Sequence, residues 1–459
     1  MNTFTTLHTP TPDHGAPRRA PLGQFRHERM RAHLDRARAV AGPQRSGSVR
    51  RIVGLSFDVA GLDVPIGASV EVIGGLTGEV VACGEREVTC MPYGDLRGLR
   101  VGARVISTGR PPTVSVGPEL LGRIVDAFGE PLDDGPPLIG LEPVTLDGAP
   151  PHPLRRARVD EPLSLGVRAW DTLVPMGRGQ RVGVFAGSGV GKSTLMGMVA
   201  RGSAADVNVV ALIGERGREV REFVEAELGE AGLARSVVVV ATSDSPALIR
   251  LRAAMSATRI AEWFRDRGDD VVLMMDSLTR YCMAQREIGL SAGEPPTSRG
   301  YPPSVFTLLP KLLERAGTAE RGSITGIYTV LVDGDDHNEP IADAARSILD
   351  GHVVLSRALA HANHYPAIDV LASVSRVAGA VTTADEQRIA AELRRLLAAH
   401  AESRDLIEIG AYVAGTNAVV DRAVDLKEAI DGFLRQPIDD GTPASDAFGR
   451  LGALLGATP

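Results

Sequence analysis

The rhythm of apolar and polar positions changes several times along the chain. Residues 1–24 mix Thr, Pro, Gly and His without a period and read as a mobile arm. Residues 25–49 become arginine-rich and helix-compatible, with Met30, Leu34 and Ala37 at helical spacing. This predicts a short basic helix that either docks on a partner or packs on its own domain. Residues 50–112 break into short Val/Ile-rich runs (IVGLSFDV, SVEVIGG, GEVVAC, EVTCMPY, ARVIST), and strands at that spacing predict a small closed β-barrel or a sandwich. Residues 113–162 are turn-rich, then Pro-laden, and read as a connector. From 163 to 378 strand runs alternate with helical patterns, which predicts an α/β domain with a mostly parallel sheet covered on both faces. The expected strands are Arg181–Ala186, Val207–Ile213, Ser236–Ala241, Val271–Asp276 and Ile324–Val332. Residues 379–459 carry helical patterns alone and predict a separate helical domain.

Composition narrows the class. Hydrophobic residues are 44% and charged residues 23%, which fits neither wholesale disorder nor a membrane-embedded chain. No apolar run approaches the ~18 residues of a spanning helix. The net charge of −7 argues against a generic nucleic-acid coat but leaves room for a local basic channel; no nucleic-acid partner is expected. Cys83, Cys90 and Cys282 show neither paired nor metal-ligand spacing, and a reducing cytoplasm fits. Of the 50 basic residues only Lys192, Lys311 and Lys427 are lysines, leaving 47 arginines.

Chemistry concentrates in a few places. Ala186-Gly187-Ser188-Gly189-Val190-Gly191-Lys192-Ser193-Thr194 follows a strand pattern and opens a helix, the context of a phosphate-binding loop. In so lysine-poor a chain the motif arises by chance about once in a few thousand such sequences. Lys192 is placed for the β- and γ-phosphates and the Ser193 hydroxyl for Mg2+, although Ala186 stands where glycine is usual. Asp276 ends an apolar strand and suits a hydrated Mg2+. Glu215 ends another and suits polarisation of an attacking water. Arg216 is a catalytic candidate beside it, the plainer alternative being a salt bridge between the two. Arg376 is one arginine among many, for which a surface role is the default. Tyr365 and Tyr412 are candidates to stack on adenine or to fill the core. The run Asp333-Gly334-Asp335-Asp336 resembles part of a calcium loop but lacks its full spacing, and reads as a solvated loop.

The runs LGRIVDAFGEPLD, GVRAWDTLVPMGRGQRVGVFAGSGVGKST, IGERGREVREF, MMDSLTR, GEPPTSRGYPPSVFTLLPKLLERAG and HYPAIDVLASVSR resemble the ATPases of type III protein export. These are relatives of the catalytic subunit of rotary ATP synthases. The resemblance spans about residues 50–435; its wording is nearest the flagellar branch, with the injectisome enzymes very similar. It implies a β-barrel, a RecA-like P-loop core and a C-terminal helical domain, assembled as a homohexamer with nucleotide between subunits. It implies ATP and Mg2+ as cofactors, with phosphate binding on Gly187, Ser188, Gly189, Val190, Gly191, Lys192, Ser193 and Thr194. Ser193 and Asp276 take the metal, Glu215 the water and Tyr365 the adenine. Arg376 becomes a finger reaching a neighbour's site, and Gly293–Ser304 faces the central channel. The implied activity is ATP hydrolysis that energises export of flagellar proteins. The implied partners are a regulator dimer at the N-terminal segment, a central coiled-coil stalk, an export gate at the membrane and chaperone–cargo complexes. The implied location is cytoplasmic, at the inner face of the cell membrane. A rotary synthase subunit is one competing reading. A Rho-like RNA translocase is another, disfavoured because residues 50–112 offer only Phe57 and Tyr93 as stacking aromatics.

Overall fold

The computed structural model describes residues 45–107, 109–332 and 339–456. The N-terminal arm, the predicted basic helix up to residue 44 and the acidic run from Asp333 lie outside the described residues.

Six strands close a barrel in the order β1-β2-β5-β4-β3-β6: β1 (Arg45–Val53), β2 (Ser56–Ala60), β3 (Ser69–Val72), β4 (Thr77–Cys83), β5 (Glu87–Pro92) and β6 (Arg104–Ser107). Alternate residues point inward, so Val70, Val72, Val80, Val88, Cys90 and Val105 share one core. The barrel begins earlier than expected: Arg45–Val49 is strand, not the tail of a helix. Gly47 is the reason. A Cβ there would lie 2.5 Å from the Ala60 carbonyl oxygen, so its absence lets β1 close onto β2.

The second body is a nine-stranded sheet. Its main path runs β14-β13-β8-β12-β11-β9-β10-β7. These strands are β7 (Arg123–Val125), β8 (Arg181–Ala186), β9 (Val207–Glu215), β10 (Ser236–Thr242), β11 (Asp270–Asp276), β12 (Ser323–Leu331), β13 (Gly351–Leu355) and β14 (Ile368–Ser375). All pairings along the path are parallel except the antiparallel edge strand β14. The sheet is buried on both faces. Val209, Ala211 and Ile213 of β9 enter one apolar cluster while Val210 and Leu212 enter the other.

Two expectations need correcting. The connector is no mere linker: β7 extends the sheet, and Val114, Val116, Leu120 and Val125 are built into its core. Arg123 holds that edge, donating to Asp133 at 2.5 Å. Nor is the helical region separate. Of the helices, those that bear on the site are α1 (Arg168–Leu173), α2 (Lys192–Gly202) and the C-terminal α3 (Ala384–Glu408), α4 (Ala418–Asp425), α5 (Lys427–Leu434) and α6 (Ala444–Leu455). Leu393, Leu396, Ile430, Phe433, Leu451 and Leu455 join Trp170 of α1 in a single cluster. Arg168 fastens the junction, donating to the carbonyls of Phe433 and Arg435 at 3.0 and 2.5 Å and to Asp440 at 2.5 Å.

Candidate nucleotide site

The loop between β8 and α2 is built as its sequence demands. Ala186 is still regular strand, 1% exposed, and its carbonyl accepts from Val332 at 3.1 Å. Nothing at this position calls for the left-handed backbone, so alanine replaces glycine without strain. Gly189 and Gly191 are the residues that need their lack of a side chain, with φ of +75° and +89°. Val190 is buried and pins the loop between them. No side chain caps the first turn of α2, so its N–H groups are open to an anion.

Three ionisable side chains converge beside this loop. Lys192 Nζ donates to Asp276 Oδ1 at 2.5 Å and lies 3.5 Å from Glu215 Oε1. Adjacent strands deliver the two carboxylates, since β9 and β11 pair Leu212 with Asp276 and Glu215 stands just beyond. Burial alone would depress Lys192, but the charges of Asp276 and then Glu215 outweigh it, and its pKa is raised. Burial and the neighbouring Asp276 charge push Glu215 up, against the pull of Lys192. Thr329, which sequence reasoning missed, donates to Asp276 Oδ1 at 2.7 Å and is fully buried. Its signal was a hydroxyl in the otherwise apolar end of the run SITGIYTVL.

The remaining candidates divide. Ser188, Gly189 and Ser193 are exposed on the loop and the first turn of α2, whereas Gly187 is buried. The Thr194 hydroxyl is committed to Glu227 at 2.8 Å, so its backbone N–H is what it offers the loop. Tyr365 lies against the loop: a Cβ on Gly191 would be 3.3 Å from its ring. Tyr412 is engaged elsewhere, its hydroxyl bonded to Asp421 and the Asn417 carbonyl near the start of α4. Arg216 is exposed and pairs with Glu219 at 3.4 Å, so in place of the alternative Glu215–Arg216 bridge Glu215 pairs with Lys192.

Arg376 stands at the other end of the sheet. β14 pairs Ile368 with Leu355 and Ser375 with Gly351, while β13 sets Leu355 beside Ala186. Arg376 is thus level with Arg181, at the start of β8, and the loop is at its finish. The strand between spans roughly 16 Å at about 3.3 Å per residue. The Arg376 side chain is exposed and meets the Arg346 carbonyl at 3.4 Å.

Comparison with known proteins agrees with this architecture. The ATP synthase alpha/beta family models match at residues 49–109 for the beta-barrel domain and 166–375 for the nucleotide-binding domain. The T3SS EscN ATPase C-terminal domain matches at 382–453. The flagellum-specific ATP synthase of Bacillus subtilis is 50% identical over 90% of this chain and 96% of its own length. The type 3 secretion system ATPase of Xanthomonas euvesicatoria is 53% identical over 86% and 91%. The assembled ATPase EscN of enteropathogenic E. coli superposes with a TM-score of 0.86 at 46% identity, over 89% of this chain and all of that one. EscN is also solved in complex with its central stalk EscO, with a TM-score of 0.84. Barrel, phosphate-loop core and docked C-terminal helices together place the chain among the ATP-hydrolysing type III export ATPases of the ATP synthase alpha/beta family.

Proposed function

We propose that this chain hydrolyses ATP to drive flagellar protein export, acting as a ring of identical subunits with each site completed by a neighbour. The observation that carries the chemistry is the convergence of Lys192, Glu215 and Asp276 beside an uncapped helix start. In this reading the loop N–H groups and Lys192 bind the triphosphate, and Tyr365 shelves the adenine. Ser193 and Asp276 are the residues suited to hold Mg2+, which supplies charge neutralisation on the phosphates. Glu215 accepts a hydrogen bond from the attacking water and orients it in line. A raised carboxylate pKa suits a group that takes a proton as the bond to the γ-phosphorus forms.

Arg376 supports the assembly. An exposed arginine at the sheet end opposite its own loop is poorly placed to serve that loop and well placed to serve a second copy. EscN, solved assembled and in complex with its central stalk, supports an assembled form and a central stalk partner for this chain. A regulator dimer, an export gate and chaperone–cargo complexes are proposed on family resemblance. Among the described residues no helix is long and apolar enough to cross a membrane; attachment at the inner face of the cell membrane is proposed on family resemblance.

The translocase reading loses its support, because Phe57 is buried in the barrel and the Tyr93 hydroxyl donates to Glu79. Injectisome service is the second reading, favoured by the 53% identity to the Xanthomonas enzyme. A gene deletion separates the two. Flagellar service predicts non-swimming cells without filaments, and motile, fully flagellated deletants would assign the chain to an injectisome.

A further inference from the structure

Beyond Glu215 the chain leaves the sheet, and the helix Gly217–Glu222 buries none of its residues. Its return is abrupt. Phe223–Leu228 forms a π turn with Phe223 and Leu228 both buried, an i→i+5 geometry that turns residues five apart towards one face. The turn brings Glu227 against α2. Thr194 Oγ1 donates to Glu227 Oε1 at 2.8 Å, and a Cβ on Gly197 would sit 2.7 Å from the Glu227 carbonyl oxygen. The second carboxylate oxygen, Oε2, is buried without a hydrogen-bond partner. A buried acceptor left open opposes folding, so the placement of this side chain calls for an explanation other than stability.

We infer that Glu227 is a positioning residue of the ATPase site, clamping the segment that carries Glu215 onto the first turn of α2 through Thr194. The clamp holds Lys192 and Glu215, which sit at opposite ends of that closed circuit, at their 3.5 Å separation. Without it the stretch after Glu215 is anchored by apolar packing, that of Val220, Phe223, Val224 and Leu228, with no polar tie to α2 among the described residues. The inference rests on the reading of Lys192 and Glu215 as site residues.

The test measures steady-state ATP hydrolysis and amide hydrogen exchange in Glu227→Ala, Glu227→Gln, Thr194→Val and the Thr194→Val/Glu227→Ala double variant, with Lys192→Ala alongside. Glu227→Ala is expected to lower kcat about tenfold with KM for ATP within about twofold, because geometry and not binding is lost. Glu227→Gln, which still accepts the Thr194 bond, should recover most of the rate. The double variant should be no slower than Glu227→Ala, and exchange in the first turn of α2 should rise in both. Wild-type kcat in Glu227→Ala, no rescue by Gln, or additive losses in the double variant would each overturn the inference. Full hydrolysis by Lys192→Ala would instead overturn the site reading itself.

Discussion

Lys192 shows how one residue acquires meaning from its surroundings. In a chain with three lysines, one stands at the start of α2 with two carboxylates, where a compact ammonium with three rotatable donors fits and a planar guanidinium does not. The motif made Lys192 legible in sequence; the partners of Asp276 were not, because Thr329 reaches it only through strand pairing. Glu215 yields a pH prediction. Its pKa is raised by burial and by Asp276, and in the proposed role its reactive form is the carboxylate. Activity therefore falls as pH drops through a value above the ordinary ~4.3 of glutamate, and the acidic limb of the kcat/KM profile should lie on that side. Glu215→Gln should abolish both the limb and at least about 10²-fold of the rate. A limb at the ordinary carboxylate pKa would contradict the assignment.

At the scale of elements, the five expected strands all form, because each is a long apolar run buried on two faces. β7 escaped notice, since three residues carry no period and its place is set by pairing with β10. The docking of α5 and α6 was equally hidden, as it depends on Arg168 meeting carbonyls some 265 positions away. Arg168 is 6% exposed, and removing it takes a donor from two carbonyls and from Asp440 Oδ2. Arg168→Ala is expected to destabilise the junction by about 3 kcal/mol. Thermal unfolding should then begin earlier, with new protease cuts confined to residues 427–456. An unchanged melting profile would mean that apolar packing alone holds these helices.

For the whole molecule, the decisive relation is the separation of Arg376 from the loop of its own subunit. Composition hid this completely, because one arginine among 47 carries no signal, and the antiparallel turn of β14 at the sheet edge supplies it. In the proposed ring of identical copies such an arginine would reach the next subunit's phosphates, where a finger is worth about 10³-fold or more in rate. Each site would then belong to two chains. The most direct measurement is ATP hydrolysis by Arg376→Ala and Lys192→Ala subunits, alone and mixed. Each variant alone should be nearly inactive. In an equal random mixture roughly a quarter of the interfaces pair an intact Lys192 with a neighbour's intact Arg376, so activity should return towards that fraction. No recovery at any mixing ratio, or full activity in Arg376→Ala alone, would contradict a site shared between subunits.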